Sequence, residues 1–311
     1  MHRRTETPPA LFALAQSQGG LVSVAQHREH GLTDASVRGL VRRREWHRPT
    51  SGVLDLRTPP PAGLSVFDHA RRRAAWLALL AYGPDAISVG ACALVLHGVE
   101  GAPLRLRAEA ALPRASDRTS RHGIALRQFD DGLETVMIDG RRVASIPWAL
   151  AQAVPELPRS RGLAVLDSAL YRKKLDAVGL ERAHDLARGR RGVATRHDLW
   201  ELADSRSESP FESSTRLECV EEGIPPDVLQ LPLVDADGRE ISRGDAGWRK
   251  RDGRWLVAEL DGREVHDTPE AVFRDRTRQN LWVSTGAVDV LRFTPRDAGS
   301  IAPAIRRALR R

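Results

Sequence analysis

Residues 239–262 read REISRGDAGWRKRDGRWLVAELDG, and this stretch decides the fold that we predict for the last third of the chain. Two runs of strand-forming residues flank a turn at 250–254. A three-residue loop with Gly253 in the left-handed conformation is a common way to close such a β-hairpin. That loop sets the register of the two strands, and counting back along them predicts that Asp245 lies directly opposite Glu259.

Acidic side chains are expected to cluster on one face of this hairpin. Asp261 follows Glu259 by two residues, so both share a face with Asp245 in this register. Three carboxylates repel one another unless a cation lies among them or one is protonated, and oxygen ligands suit Mg²⁺, Mn²⁺ or Ca²⁺. The alternative is a solvated strand edge. It explains Glu259 poorly, because this residue interrupts the apolar run at 255–258.

Predicted elements on both sides of the hairpin complete an αβββαβα order. Ser209-Pro210-Phe211-Glu212 carries the N-cap serine, first-turn proline and third-position glutamate of a helix start. Strands are predicted at 228–234, 239–248, 255–261 and 288–294, and helices at 209–222, 267–285 and 301–310.

Two further side chains are candidates for the carboxylate site. Glu212 has a complete structural role in its capping box, but a helix packed over the sheet would also aim it at the metal. His266 follows the Asp261-Gly262 turn by a few residues. It is either a ligand, a base or a phosphate contact, or a surface loop residue.

This part of the chain, roughly 209–311, resembles the Vsr-like (very-short-patch-repair-like) endonuclease domain of the PD-(D/E)XK nuclease superfamily. The resemblance rests on the element order and on Gly244-Asp245, Val257-Ala258-Glu259-Leu260-Asp261-Gly262, His266, Arg274-Asp275, Arg278, Gly286 and Val290-Leu291-Arg292-Phe293. It implies a restriction-endonuclease-like fold and hydrolysis of phosphodiester bonds with Mg²⁺ or Mn²⁺.

Residue by residue, the resemblance makes Asp245 and Glu259 the two metal-binding acids. Asp261 stands where the superfamily has lysine, as in the Vsr-like branch, so the general base is unassigned. His266, Arg278 and Gln279 are candidates to orient water or to stabilise the phosphorane. Gly244 replaces the valine that usually precedes the first acid.

Residues 9–57 predict three short helices followed by a β-hairpin, which is the pattern of a winged helix-turn-helix. Ser23 and Thr33 are candidate N-caps of the second and third helices. The third helix is basic and would enter the major groove of DNA; candidate contacts are Arg38, Arg42, Arg43 and Arg48. The alternative is a helical bundle with a solvated arginine face. Gly19-Gly20-Leu21-Val22-Ser23, Gly31-Leu32-Thr33 and Trp46-His47-Arg48 resemble the winged-helix domain of AbiEi-type antitoxins.

The triple proline at 59–61 predicts a stiff linker, after which residues 59–204 read as a mixed α/β region without a catalytic constellation. Helices are predicted at 65–82, 88–97, 147–154, 161–171, 179–187 and 195–203, and strand-like segments at 103–112, 122–129 and 133–145. The predicted fold class is therefore α+β multidomain: a winged helix-turn-helix (1–58), the middle region (59–204) and the nuclease-like domain (205–311).

The composition and charge of the chain exclude some classes of protein and favour others. The chain of 311 residues carries a net charge of +7, and only three of its 48 basic residues are lysine. Residues 1–58 hold nine basic and five acidic residues, which favours phosphate-bearing partners there, although arginine enrichment also follows from a GC-rich genome. No apolar run approaches the roughly 20 residues of a membrane span, and two cysteines exclude a disulfide scaffold. We expect a cytoplasmic protein without membrane association.

The function we expect is that of a metal-dependent DNA endonuclease targeted by its N-terminal winged helix. The alternative is an AbiEi-like antitoxin or transcriptional regulator that binds DNA and carries a catalytically degenerate nuclease fold. DNA is the expected partner in both cases, and a cognate toxin or defence-system protein is a further candidate.

Overall fold

The computed structural model describes residues 6–113, 119–120, 123–128, 131–234, 239–262 and 288–310. The chain packs as two compact units: Met1–Glu156 with Ala177–Ala194, and Leu157–Asp176 with Thr195–Arg311. The predicted middle region is shared between these two units, so the packing groups residues differently from the three segments expected. Across the described ranges, no helix has the length and apolar character needed to cross a membrane.

The N-terminal part of the first unit has three helices and a three-stranded sheet. The helices are α1 (Pro9–Ser17), α2 (Val24–Glu29) and α3 (Asp34–Arg42), and the strands are β1 (Leu21–Ser23), β2 (His47–Thr50) and β3 (Val53–Asp55). The sheet is antiparallel with the order β1-β3-β2. The three helices and the hairpin confirm the predicted elements, whereas β1 was not predicted, because three residues are too few to show an alternating pattern.

Both predicted N-caps are present. The Ser23 hydroxyl accepts a hydrogen bond from Gln26 N in a capping box, and the Thr33 hydroxyl accepts one from Ser36 N. The helices close over the sheet through a core that includes Leu11, Val37 and Leu54. These caps and contacts hold α3 with its apolar side inward and its basic side exposed.

The rest of the first unit follows the proline-rich segment. Its helices are α4 (Val66–Tyr82), α5 (Gly90–Leu96) and α6 (Ile146–Ala153), together with α8 (Ala177–Ala187) after the chain returns. An ion pair of 2.7 Å between Arg73 on α4 and Asp55 on β3 joins it to the N-terminal elements.

A five-stranded sheet completes the first unit. Its strands are β4 (Ile87–Ser88), β5 (Glu109–Ala111), β6 (Ala125–Arg127), β7 (Thr135–Ile138) and β8 (Arg141–Ala144), in the order β6-β5-β4-β8-β7. The segment 133–145 is a hairpin, with Asp139 and Gly140 at positive φ in its turn. The strand predicted at 103–112 is limited to β5, and β4 was not predicted.

Helices of the second unit pack around one buried ion pair. These helices are α7 (Arg159–Tyr171), α9 (His197–Leu202) and α10 (Pro210–Glu221). Arg216 on α10 contacts Asp167 on α7 at 2.7 Å, and both side chains are buried. Because a buried charge needs a partner, this pair ties α7 to α10.

A four-stranded sheet forms the centre of the second unit. Its strands are β9 (Val228–Val234), β10 (Glu240–Arg249), β11 (Trp255–Leu260) and β12 (Val288–Phe293), in the order β12-β11-β10-β9. β10 pairs antiparallel with both β9 and β11, whereas β12 runs parallel to β11. These strands, α10 and the closing helix α11 (Ile301–Leu309) confirm the predicted elements; the helix predicted at 267–285 lies outside the described residues.

Two apolar clusters divide the faces of this sheet. One face, with Leu256, Ala258 and Leu260, packs with Cys219 of α10 and Ile301 of α11. The opposite face has Val257 at the centre of a cluster with Leu231 and Leu233 of β9. The chain is thus a mixed α/β protein, as the composition and element order predict.

Candidate functional site

The hairpin between β10 and β11 forms in the predicted register. Gly253 has φ +86°, and Lys250 N donates to Arg254 O at 2.9 Å across the turn. The strands pair from Arg249 opposite Trp255 to Ala246 opposite Ala258, which is the register that the turn predicts. The predicted pairing of Asp245 with Glu259 lies one step beyond these paired residues.

The side chains at the end of this register do not follow simple alternation. Ala246 packs on the α10 face, yet a Cβ added at Gly244 would lie 2.2 Å from Val257 Cγ1 on the opposite face. On the neighbouring strand, Gln230 has φ +55°, an unusual conformation for a residue with a side chain. The regular alternation of side chains between the two faces is thus interrupted at Asp245 and at Gln230. Position 244 requires glycine, because a Cβ there would overlap with the Val257 side chain.

Asp245 and Glu212 lie close together on the α10 side of the sheet. Both line a small cavity with Trp248 and Leu260. The pKa of Glu212 is raised to about 7: burial is the largest cause, the hydrogen bond from Glu208 N opposes the rise, and the negative charge of Asp245 adds to it. This pair is a half-buried acidic site in which one proton is exchanged near neutral pH.

Hydrogen bonds fix both carboxylates of this pair. Asp245 Oδ2 accepts from Leu260 N at 2.6 Å, and Glu212 Oε2 accepts from Glu208 N at 2.9 Å and from Gln230 Nε2 at 3.1 Å. The Ser209 hydroxyl caps the helix as predicted, by accepting from Glu212 N. The Glu212 carboxylate is therefore aimed at Gln230 and Asp245 beyond its role at the helix start.

Glu259 has a different neighbour. Its side chain is almost completely buried, and its Oε2 lies 2.6 Å from Nε of Arg292 on the adjacent parallel strand. Residues 259 and 292 are directly paired in the β11–β12 register. The positive charge that Glu259 needs is thus supplied by the chain itself.

The expected convergence of three carboxylates on one face is wrong. Asp261 is exposed, and its backbone N–H donates to Phe293 O at 3.0 Å. Among the residues that the structure describes, no group of three or more His, Cys, Asp or Glu side chains is placed to hold a metal ion. The physical reason is the change of face at Asp245, which brings its carboxylate to Glu212, while Glu259 stays beside Arg292.

The remaining candidates for this site are His266, Arg278 and Gln279, and all three lie outside the described residues. What the described residues offer a metal ion is therefore the pair Glu212 and Asp245. Two carboxylates with bound water are a ligand set that Mg²⁺ commonly accepts.

The basic side of α3 is the second candidate site. Arg38 and Arg42 are one helical turn apart and exposed, as is Arg48 on β2. Arg43 is exposed but its Nε contacts Glu45 Oε1 at 2.8 Å, so part of its charge is already neutralised. In the described part of the chain, Arg43 is the one of these four arginines that forms an ion pair, and Asp34 lies close enough to Arg38 for their charges to interact.

Two residues of the carboxylate site were missed by reasoning from sequence. Arg292 interrupts the apolar run of β12 as Glu259 interrupts that of β11, and this shared irregularity was the available signal. Gln230 carries no comparable signal, because a positive φ at a non-glycine residue depends on its tertiary surroundings.

Comparisons with known proteins identify relatives without a described activity. No protein-family model matches the chain. Two proteins of Mycobacterium tuberculosis, Uncharacterized protein MT2308 and Uncharacterized protein Rv2248, are each 35% identical to it over 147 residues, which is 47% of this chain and 53% of each relative. The chain thus spans about half the length of the curated relatives it matches, and their names state no activity.

Proposed function

We propose that this protein is a metal-dependent DNA endonuclease whose N-terminal helices bind duplex DNA. The observation that carries the proposal is the carboxylate pair of Glu212 and Asp245, where burial and like charge raise the pKa of Glu212 to about 7. Two acids held together in this way favour a divalent cation, since a cation removes both the repulsion and the need for a proton.

Surrounding contacts support this assignment of the two acids. Leu260 N and Gln230 Nε2 orient the carboxylates, and the left-handed backbone of Gln230 is strain that functional sites commonly store. A bound Mg²⁺ would supply a water of lowered pKa and neutralise charge on the phosphoryl oxygens. Glu212 and Asp245 would hold that ion, and Glu212 would release its proton on binding.

The position of the acids in the fold adds support of another kind. Glu212 lies in the first turn of α10, and Asp245 lies in β10, the middle one of three antiparallel strands. The fourth strand, β12, runs parallel to its neighbour β11. The described elements, αβββ before residue 263 and βα after residue 287, agree with the corresponding parts of the αβββαβα pattern of the nuclease superfamily that the sequence resembles. Glu259, which the resemblance makes a metal ligand, alternates with Ala258 and Leu260 of the α10 face and contacts Arg292, so the proposal assigns it no bond to the ion.

One observation favours a second candidate function, a DNA-binding regulator of antitoxin type. The charge of Glu259 is balanced by Arg292 within the sheet, as in a structural rather than a catalytic carboxylate. The element order of residues 9–55, with an exposed basic α3 followed by two strands, supports a winged helix in either case. A cognate toxin or defence-system protein would then be the partner.

Cleavage assays separate the two functions. Purified protein is incubated with supercoiled plasmid, linear duplex and single strands in Mg²⁺, Mn²⁺ or EDTA. The proposal expects metal-dependent cleavage that is lost in Asp245→Asn and in Glu212→Gln. The matched control is Asp252→Asn, which removes an exposed acid in the β10–β11 turn. Binding of duplex without cleavage in any metal would favour the regulator.

A further inference from the structure

The C-terminus of α3 has the hydrogen bonds of a helix that ends at a glycine, but the position usually taken by glycine is occupied by Arg44. Arg44 N donates to Val41 O at 3.0 Å, and Glu45 N donates to Leu40 O at 3.0 Å. This pair of bonds defines a Schellman motif, in which the residue at the position of Arg44 is left-handed and usually glycine. Arg44 has φ +61°, so its backbone is strained.

The side chain at this strained position is available to a ligand. Arg44 is exposed, and within the described part of the chain its guanidinium takes part in no ion pair or hydrogen bond. Its neighbour Arg43 has ordinary helix-end geometry and pairs with Glu45. The two adjacent arginines therefore differ: the unstrained one is neutralised, and the strained one keeps its full charge.

We propose that Arg44 contacts a DNA phosphate, and that this contact explains an arginine where the backbone favours glycine. The inference rests on the proposed binding of duplex DNA by α3. Arg38 and Arg42 are exposed on the helix, and Arg44 adds a third exposed arginine directly after the helix end. A guanidinium binds phosphate through paired, charge-assisted hydrogen bonds, which makes arginine the suitable residue.

The alternative explanation is a local one, since a basic residue also stabilises the negative end of a helix dipole. The chain contains a matched position that tests it. Lys173 follows α7 with φ +53°, and Lys173 N and Lys174 N donate to Leu170 O and Ala169 O at 2.9 Å. This is the same motif with a basic residue in the left-handed position, in the other compact unit.

The experiment compares Arg44→Gly with Lys173→Gly in the full-length protein. Each variant is melted, and its affinity for a 30-base-pair duplex is measured by fluorescence anisotropy at several salt concentrations. Glycine relieves the strain at both positions, so both variants are expected to melt at or above the temperature of the native protein. Arg44→Gly is expected to lose about five- to tenfold in affinity and about one unit of salt slope, whereas Lys173→Gly keeps both.

Two further variants distinguish charge from backbone. Arg44→Lys keeps the positive charge but not the paired hydrogen bonds, and its affinity is expected to lie between those of the native protein and Arg44→Gly. Arg44→Asn tolerates the left-handed backbone and is expected to bind like Arg44→Gly. Unchanged affinity in Arg44→Gly, while Arg38→Ala and Arg42→Ala weaken binding, would overturn the inference and leave the proposed DNA binding intact. No duplex binding by the native protein would overturn both.

Discussion

Nε of Arg292 lies 2.6 Å from Oε2 of Glu259, across two parallel strands that are neighbours in the sheet but are separated in the chain by residues 261–287. The Glu259 side chain is nearly buried, so its charge depends on this partner. The pair connects the stability of the sheet to the acid that the sequence marks as a metal ligand.

Removing the arginine should therefore destabilise the protein. Arg292→Gln leaves a buried carboxylate without its counter-charge, which we expect to cost roughly 3 kcal/mol of unfolding free energy. The double variant Glu259→Gln with Arg292→Gln should recover most of this loss. Urea unfolding of the native protein, of the single variants Arg292→Gln and Glu259→Gln, and of the double variant measures the effect, and equal stability of Arg292→Gln and native protein would contradict it.

Stability should fall as the pH rises towards neutrality, because of Glu212. Its pKa is about 7 in the folded chain against 4.5 in the reference state, so between these values the folded state binds more protons than the unfolded state. The stabilising contribution is complete below about pH 4.5 and is lost as the pH rises through about 7. Between pH 5 and pH 8 the native protein should lose about 2–3 kcal/mol more unfolding free energy than Glu212→Gln does. Asp252→Asn, which removes an exposed acid in the β10–β11 turn, is the control and should keep the native pH dependence.

Divalent cations should stabilise the folded protein, and more strongly at high pH. Mg²⁺ or Mn²⁺ that binds only the folded site adds about 2.7 kcal/mol at a hundred times its dissociation constant. Because Glu212 must lose its proton, the rise in melting temperature should be larger at pH 8 than at pH 6. Asp245→Asn should abolish the rise and Asp252→Asn should not. A rise of equal size in both variants would show that the ion binds elsewhere.

Exposed arginines of α3 should govern affinity for duplex DNA. Arg38→Ala and Arg42→Ala are each expected to weaken binding for all sequences alike and to lower the salt slope by about one unit. Arg43→Ala should have a smaller effect, since Glu45 already pairs with Arg43. Anisotropy titrations at several salt concentrations test this order, with Arg105→Ala as a control for an exposed arginine outside α3.

Gly244 should not tolerate even alanine. Its added Cβ would lie 2.2 Å from Val257 Cγ1, so Gly244→Ala is expected to lose about 1–3 kcal/mol of stability through overpacking. Combining it with Val257→Ala removes the clashing methyl, and the two changes should then cost less together than the sum of their separate costs. Strictly additive costs in thermal or urea unfolding would argue against a direct clash.

Local patterns in the sequence were enough to predict most of the helices and strands and the register of the β10–β11 hairpin. Capping residues, apolar periodicity and turn glycines act between neighbours in the chain, so α10, β9, the β10–β11 hairpin and both N-terminal N-caps were predicted correctly. The same reasoning predicted the register of this hairpin, because a hairpin turn sets its register locally.

The partners of the buried carboxylates of Glu259 and Glu212 are set by the tertiary structure. The contact of Glu259 with Arg292 depends on a parallel pairing, which no turn specifies and which joins segments distant in the chain. The placement of Glu212 and Asp245 around one cavity depends on the packing of α10 over the sheet and on a change of face at Gln230, whose positive φ no local pattern requires. Alternation predicts a side chain's face only while both strands remain regular, and at this site they do not.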